Sequence, residues 1–165
     1  MMDLIVAVDL DWGIGKDNDL LFHIPEDMKF FRATTIGKTV VLGRKTLESF
    51  PGGKPLPGRR HLVLTRQDLS PVDNLTVLHD LSELDMALGE IDGEVYLIGG
   101  ASLYRQLYDR CRFAFVTRIL ERAEADAFFP DLDADPSFEL VSEGEVKEST
   151  CGVRFQFLKY KNKRF

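Results

Sequence analysis

Histidine, cysteine and tryptophan are scarce in this chain: three, two and one among 165 residues. Cys111 and Cys151 stand 40 positions apart and form no C-x-x-C, which excludes a dithiol redox motif and a zinc ribbon. His23, His61 and His79 include no i, i+4 pair, so the spacing of a histidine metal site is missing and no metal is expected. Long apolar runs are missing too. The N-terminal run Leu4–Val8 is stopped by Asp9, too short for a signal sequence or a membrane span. There is no repeat, no low-complexity tract and no linker. Nor is there an excess of positive charge: the net of −6 argues against a general polyanion binder. No nucleic-acid or membrane partner is expected, and the chain reads as cytoplasmic with reduced thiols.

What is present is ordinary globular material, 44% hydrophobic and 29% charged. A length of 165 residues suits one domain over 1–165. A chain of this size buries roughly 70% of its unfolded surface and needs no covalent staple. The charge is unevenly distributed. Residues 37–66 hold Lys38, Arg44, Lys45, Lys54, Arg59, Arg60 and Arg66 against Glu48 alone, a net of +6 that leaves −12 for the remainder. Such a segment is either a solvated basic face or the seat of a compact anion.

Strand-like and helix-like runs alternate. Leu4–Asp9, Thr39–Leu42, His61–Thr65, Leu75–Leu78, Glu94–Ile98 and Arg112–Ile119 read as buried strands. Asp11–Leu21 reads as a loop, longer than a usual strand-to-helix link and suited to a lid. Pro25–Ile36 reads as a helix, with Pro at its first position and Gly37 as its stop. Short helices follow at Arg44–Phe50 and Ser102–Tyr108. Asp80 and Glu83 make a capping box for a helix over 81–89. PGGKPLPG (51–58) reads as a loop. Phe138–Lys147 and Val153–Lys161 alternate as an antiparallel hairpin, with Val153, Phe155 and Phe157 on one side. The fold class is α/β: a central, mostly parallel twisted sheet, helices on both faces, and an antiparallel C-terminal edge hairpin.

In such sheets ligands bind beyond the C-terminal strand ends, where helix N-termini point. Gly43-Arg44-Lys45-Thr46 lies at one such turn and Ile98-Gly99-Gly100-Ala101-Ser102 at another. Each is either a tight turn or a phosphate cradle. Two of them in one sheet suit a dinucleotide, which has more than one phosphate to place. Thr65-Arg66 ends a third strand, where a hydroxyl and a guanidinium beside Arg44 would suit a phosphate monoester, the group that separates NADP from NAD. Asp27 shares a helix side with Phe30 and Phe31. A carboxylate there is either a dipole-favoured first-turn acid or a desolvated functional group.

Taken in order, LIVAVDLDWGIGKDNDL, IPEDMKFFRATT, TVVLGRKTLESF, PLPGRRHLVLTR, VYLIGGASLY, VTRI and FFPD resemble the chromosomal, bacterial type of dihydrofolate reductase over nearly the whole chain. The resemblance implies NADPH-dependent reduction of 7,8-dihydrofolate to 5,6,7,8-tetrahydrofolate by hydride transfer to C6, in one-carbon metabolism. It implies that Asp27 binds the pterin and serves as the catalytic acid group. It places Ile5, Ala7, Met28, Phe31, Phe50, Leu56 and Thr117, with Thr46, around the substrate. Arg59 is implied as the clamp on the α-carboxylate of the glutamate tail, a bidentate task suited to Arg. Ala7, Ile14 and Gly15 are implied on the nicotinamide side. Arg44, Leu64, Thr65 and Arg66 fall around the 2′-phosphate. Gly43, Lys45, Thr46 and the run Ile98, Gly99, Gly100, Ala101, Ser102, Leu103 and Tyr104 form the rest of the groove. The Gly99-Gly100 bond is implied to be cis. Asp126 is implied as the acid that holds the 12–20 loop. A monomer is expected.

The chain departs from that family at three places. Leu21-Phe22 replaces the usual Pro-Trp, which removes an indole N–H beside the pterin. Residues 51–54 lengthen the loop before Pro55, and Phe115 replaces a frequent Tyr. Two other readings remain at this point. A same-fold NADPH reductase of riboflavin synthesis would share the cofactor groove without needing Asp27 or Arg59. A receiver-like signalling domain would use Asp9 and Asp11, but it wants an Asp where Thr65 stands.

Overall fold

A computed structural model describes all 165 residues. Twelve strands run in chain order: β1 Met2–Val8, β2 Gly13–Lys16, β3 Asp19–Leu20, β4 Thr39–Gly43, β5 Arg60–Leu64, β6 Leu75–Leu78, β7 Val95–Gly99, β8 Phe113–Ile119, β9 Ala127–Phe128, β10 Phe138–Glu143, β11 Lys147–Glu148 and β12 Arg154–Asn162. The helices are α1 Pro25–Thr35, α2 Arg44–Ser49, α3 Leu81–Gly89 and α4 Ala101–Leu107.

The main sheet has the order β10-β12-β8-β1-β7-β4-β5-β6, with β11 added to β12. Contacts among β8, β1, β7, β4, β5 and β6 are all parallel. β12 and β10 complete it antiparallel. The nearly continuous apolar runs follow from burial on both faces. In β1, Leu4, Val6 and Val8 point into the larger core with α3 and α4, while Ile5 points into the smaller one with α1 and α2. Leu4, Leu42, Leu62 and Leu97 are wholly inaccessible, each contributing about 1.5–3 kcal/mol by burial.

The structure differs from the sequence expectations at four places. The 11–21 segment is an antiparallel hairpin, β2 with β3, extended by β9 into a separate small sheet. Its two tip residues, Asp17 and Asn18, both have positive φ, the combination of a type I′ turn. The 51–58 segment contains one 3₁₀ turn at Pro51–Gly53. The 138–147 strand is broken: a bulge falls between Leu140 and Ser142, pairing continues through Glu143, and after a gap only Lys147–Glu148 pairs again. At α3, the Asp80 side chain accepts from Glu83 N as expected, but Glu83 reaches back to His79 N rather than to Asp80. No helix is long and apolar enough to cross a membrane.

Candidate active site

The cleft lies at the C-terminal ends of the parallel strands, with α1 and α2 on one face. α1 begins with Pro25 and has no side-chain N-cap, but Glu26 and Asp27 fill its first turn, where the helix dipole favours anions. Asp27 Oδ1 accepts a 2.6 Å hydrogen bond from Thr117 Oγ1. Thr117 is 1% exposed on β8, opposite Ala7 of β1. Burial pushes the Asp27 carboxyl above the ordinary aspartate range, and the Thr117 bond opposes the rise only in part. Asp27 is thus a first-turn acid and a partly desolvated one at once. Along α1, Ile24 and Thr35 are buried, whereas Met28 is 54% exposed. Phe30 turns toward Phe157, with ring centroids 4.6 Å apart, and Phe31 packs beside Phe50 in the smaller core.

The backbone carbonyl of Ile5 accepts a 2.7 Å bond from the Tyr104 hydroxyl. Burial raises the Tyr104 pKa strongly, so the hydroxyl stays a neutral donor. This bond ties the start of α4 to β1 directly under the cleft. The two glycine turns meet here. A Cβ on Gly43 would lie 3.9 Å from Gly100 N, and one on Gly100 would lie 3.3 Å from Thr46 Oγ1. A side chain would crowd Thr46 at Gly100 and make ordinary contact at Gly43, so the two turns bring nearly bare backbone together between α2 and α4, the kind of surface that suits a phosphate. The Gly99-Gly100 bond is cis. Ser102 is exposed, Ala101 half-buried and Leu103 buried behind the turn.

The hairpin covers the cleft from the side. Ile14 is half-buried and Gly15 buried. Asn18 Nδ2 donates to Lys45 O at 2.9 Å, so the hairpin tip touches the start of α2. Asp126 Oδ2 accepts from Asp17 N at 3.0 Å, and Asp126 N donates to Gly15 O at 3.0 Å. At the hairpin's base, Asp9 is 2% exposed and accepts from the backbone N–H groups of Asp11, Gly13 and Ala123. That use as a loop organiser removes Asp9 from the role a receiver domain would need. Sequence reasoning misses the loop-holding bonds of Asp9 and Asn18. The Asp-Asn pair at 17–18 is the available signal for a hairpin. Leu21 and Phe22 are half-buried, and Phe22 packs on Ile24, Ile119 and Phe155.

Arg59 is 5% exposed. Its Nε donates to Pro57 O at 3.0 Å and its Nη1 to Thr35 Oγ1 at 3.2 Å. Burial and the nearby Arg32 charge lower its pKa, a pair of cations that would welcome a carboxylate. Leu56 and Arg44 line a recess of about 540 Å³ on the outer side of α2. Asp27 does not border that recess. Arg44 pairs with Glu48 one turn along α2. Leu64 and Thr65 are half-buried at the end of β5, and Arg66 is exposed. Thr65 Oγ1 accepts from Gln67 N, and His79 Nδ1 lies 2.9 Å from Thr65 O. Lys38 binds Glu94 at 2.6 Å, away from the cleft's other cations.

The dihydrofolate reductase family model matches residues 1–162. The chain belongs to the dihydrofolate reductase family. It is 37% identical to the dihydrofolate reductase of Bacillus subtilis, over 99% of this chain and 95% of that one. It is 39% identical to that of Neisseria gonorrhoeae, over 97% of each. A dihydrofolate reductase from Enterococcus faecalis, solved with NADP(H) and RAB-propyl, superposes with a TM-score of 0.86 at 33% identity, covering 98% of this chain and 96% of that one. The dihydrofolate reductase fold therefore stands as expected, with the α/β sheet and its antiparallel edge.

Proposed function

We propose that one domain spanning 1–165 carries out the family's reaction, with Asp27 as the substrate-binding acid of the cleft. The reaction is the NADPH-dependent reduction of 7,8-dihydrofolate to 5,6,7,8-tetrahydrofolate. The observation that carries the site assignment is the half-buried Asp27 carboxylate, held by Thr117 beside two converging glycine turns. The residues present fit a dinucleotide phosphate: Gly43, Gly100 and Thr46 leave an open cradle, and Arg66 is free in solvent beside Thr65.

When bound, NADPH supplies a hydride to C6 of the pterin, across a C=N bond whose nitrogen must gain a proton. The neighbouring carboxylate, Glu26, is turned to Ser149 Oγ and Thr150 N, which leaves Asp27 as the acid of the cleft with no partner acid to deliver that proton. Asp27 therefore holds the ring through its amino group and ring nitrogen, and its charge favours the protonated ring, while a water delivers the proton. Thr117 fixes one carboxylate oxygen and leaves the other for the substrate. Ile5, Ala7, Met28, Phe31, Phe50 and Leu56 form the wall, and Arg59 takes the tail carboxylate. Ile14 and Gly15, on the closed hairpin, shield the nicotinamide side from bulk water. Gly43 to Thr46, Leu64 to Arg66 and Ile98 to Tyr104 form the groove for the rest of the cofactor.

Two unpaired cysteines support a reducing compartment, and we place the enzyme in the cytoplasm. We further infer a monomer with no nucleic-acid partner, in keeping with the net charge of −6. Purified protein is expected to oxidise NADPH only when 7,8-dihydrofolate is added. Folded protein without that dependence would defeat the reading.

A further inference from the structure

His61 is fully buried at the beginning of β5, and both of its ring nitrogens are engaged. Nε2 accepts from Leu56 N at 3.0 Å, and Nδ1 lies 3.1 Å from Arg59 O. A carbonyl only accepts, so Nδ1 carries the proton and Nε2 is left as the acceptor that Leu56 requires. Burial together with the Arg59 charge lowers the His61 pKa, which keeps this neutral tautomer in place. The Phe50 ring stands edge-on to the imidazole, with centroids 6.3 Å apart. One side chain thus touches Phe50, Leu56 and the backbone of Arg59.

The segment it serves has little order of its own. Gly52, Gly53 and Gly58 all have positive φ, and Pro51, Pro55 and Pro57 offer no backbone N–H. Beyond the 3₁₀ turn, the backbone bonds that fix the segment are Leu56 N to His61 and Gly37 N to Gly58 O. The Arg59 side chain depends on the same segment, since its Nε donates to Pro57 O. Removing the imidazole would leave Leu56 N unpaired and free the loop between Phe50 and Arg59, a change felt by whatever those residues hold.

We propose that His61 is a positioning residue for the substrate's glutamate-bearing tail: it sets the distance between the apolar wall at Phe50 and Leu56 and the guanidinium of Arg59. The proposal rests on the reading of Arg59 as the tail clamp. His61 itself touches no substrate atom, and its effect is confined to substrates that have a tail.

The test compares kcat/KM for dihydrofolate with kcat/KM for 6-methyl-7,8-dihydropterin, which lacks the tail. The comparison covers the wild type, Arg59→Ala, His61→Leu and His61→Gln. His61→Leu lowers the ratio of the two values by about tenfold, the loss of one well-placed hydrogen bond. His61→Gln retains a donor and an acceptor, keeps more of the ratio, and carries the test if the leucine variant does not fold. NADPH binding, followed by quenching of protein fluorescence, verifies that each variant is folded. Equal losses on both substrates, or an unchanged ratio, in the folded variants would overturn the proposal and leave His61 a structural residue. A ratio that falls in Arg59→Ala but not in the His61 variants removes His61 alone. A ratio unaffected by Arg59→Ala removes the tail clamp, and the His61 role with it.

Discussion

Asp27, the proposed substrate acid, and Arg66, the proposed phosphate ligand, stand under opposite physical conditions. Asp27 stands over β8 and Arg66 follows β5, four strands away in the sheet, or about 19 Å at ordinary strand spacing. At the Asp27 end the carboxylate is desolvated, bonded to a buried threonine and backed by the Tyr104–Ile5 bond. At the Arg66 end the guanidinium is exposed, and its neighbour Arg44 is already paired with Glu48. A charge held in a low-dielectric cleft acts strongly and is little screened. A solvated one acts weakly and is screened by salt. The proposed chemistry thus falls at the end where groups are fixed in advance, and the proposed recognition of the phosphate at the end where they must be drawn into place.

Four substitutions would break or sharpen that contrast. The largest effect is expected for Asp27→Asn, which should lower turnover at neutral pH by about 10²–10⁴-fold, measured as steady-state NADPH oxidation. The same change should raise stability. The Asp27 pKa is raised in the folded state, so the folded chain holds its proton more tightly. Stability therefore falls as pH rises from the unfolded value of 3.8 through the folded one. An uncharged Asn escapes that cost. Thermal melts should show Asp27→Asn gaining over wild type at pH 7, with the gain vanishing below the unfolded pKa. Thr117→Val comes next: it leaves Asp27 buried without its donor, and kcat/KM for dihydrofolate should drop by about tenfold while KM for NADPH holds.

At the exposed end the effects shrink. Arg66→Ala should raise KM for NADPH by about three- to tenfold, an effect of about 1 kcal/mol, with KM for NADH unmoved and the difference fading at high salt. Equal changes for both nucleotides would take Arg66 out of the phosphate site. Glu48→Gln gives the smallest change. Releasing Arg44 should lower KM for NADPH by about twofold, read as a shift in the NADPH-to-NADH preference. A large gain would show that the phosphate end is more tightly organised than its exposure suggests.

Much of this is legible in the residues because strand burial leaves a composition signal. The runs at 4–8, 39–42 and 95–98 read as buried strands since both faces are covered, and Pro25 and Gly37 mark α1 closely. Asp27 is visible as an acid on an aromatic helix side, although its partner is not: Thr117 lies 90 positions away and meets it through the β1–β8 register. The hairpin at 13–20 escapes a sequence reading because its strands are very short and its pairing depends on β9, more than 100 residues later. His61 gives no signal as a loop organiser, because a buried histidine read alone looks the same whichever backbone groups it meets. The basic segment also resolves unevenly. Arg59 is buried against Thr35, Arg44 is paired with Glu48 and Lys38 is paired with Glu94, whereas Lys54 and Arg60 are exposed.

The central claim, that a desolvated Asp27 makes protonation of the bound pterin possible, is tested most directly by the pH dependence of NADPH oxidation with 7,8-dihydrofolate. Wild type and Asp27→Asn should be compared from about pH 5 to pH 9. Wild type should keep turning over at neutral pH. The variant should be nearly inactive there and regain rate as the pH falls and solvent protonates the substrate directly. Superimposable profiles for the two proteins would contradict the claim.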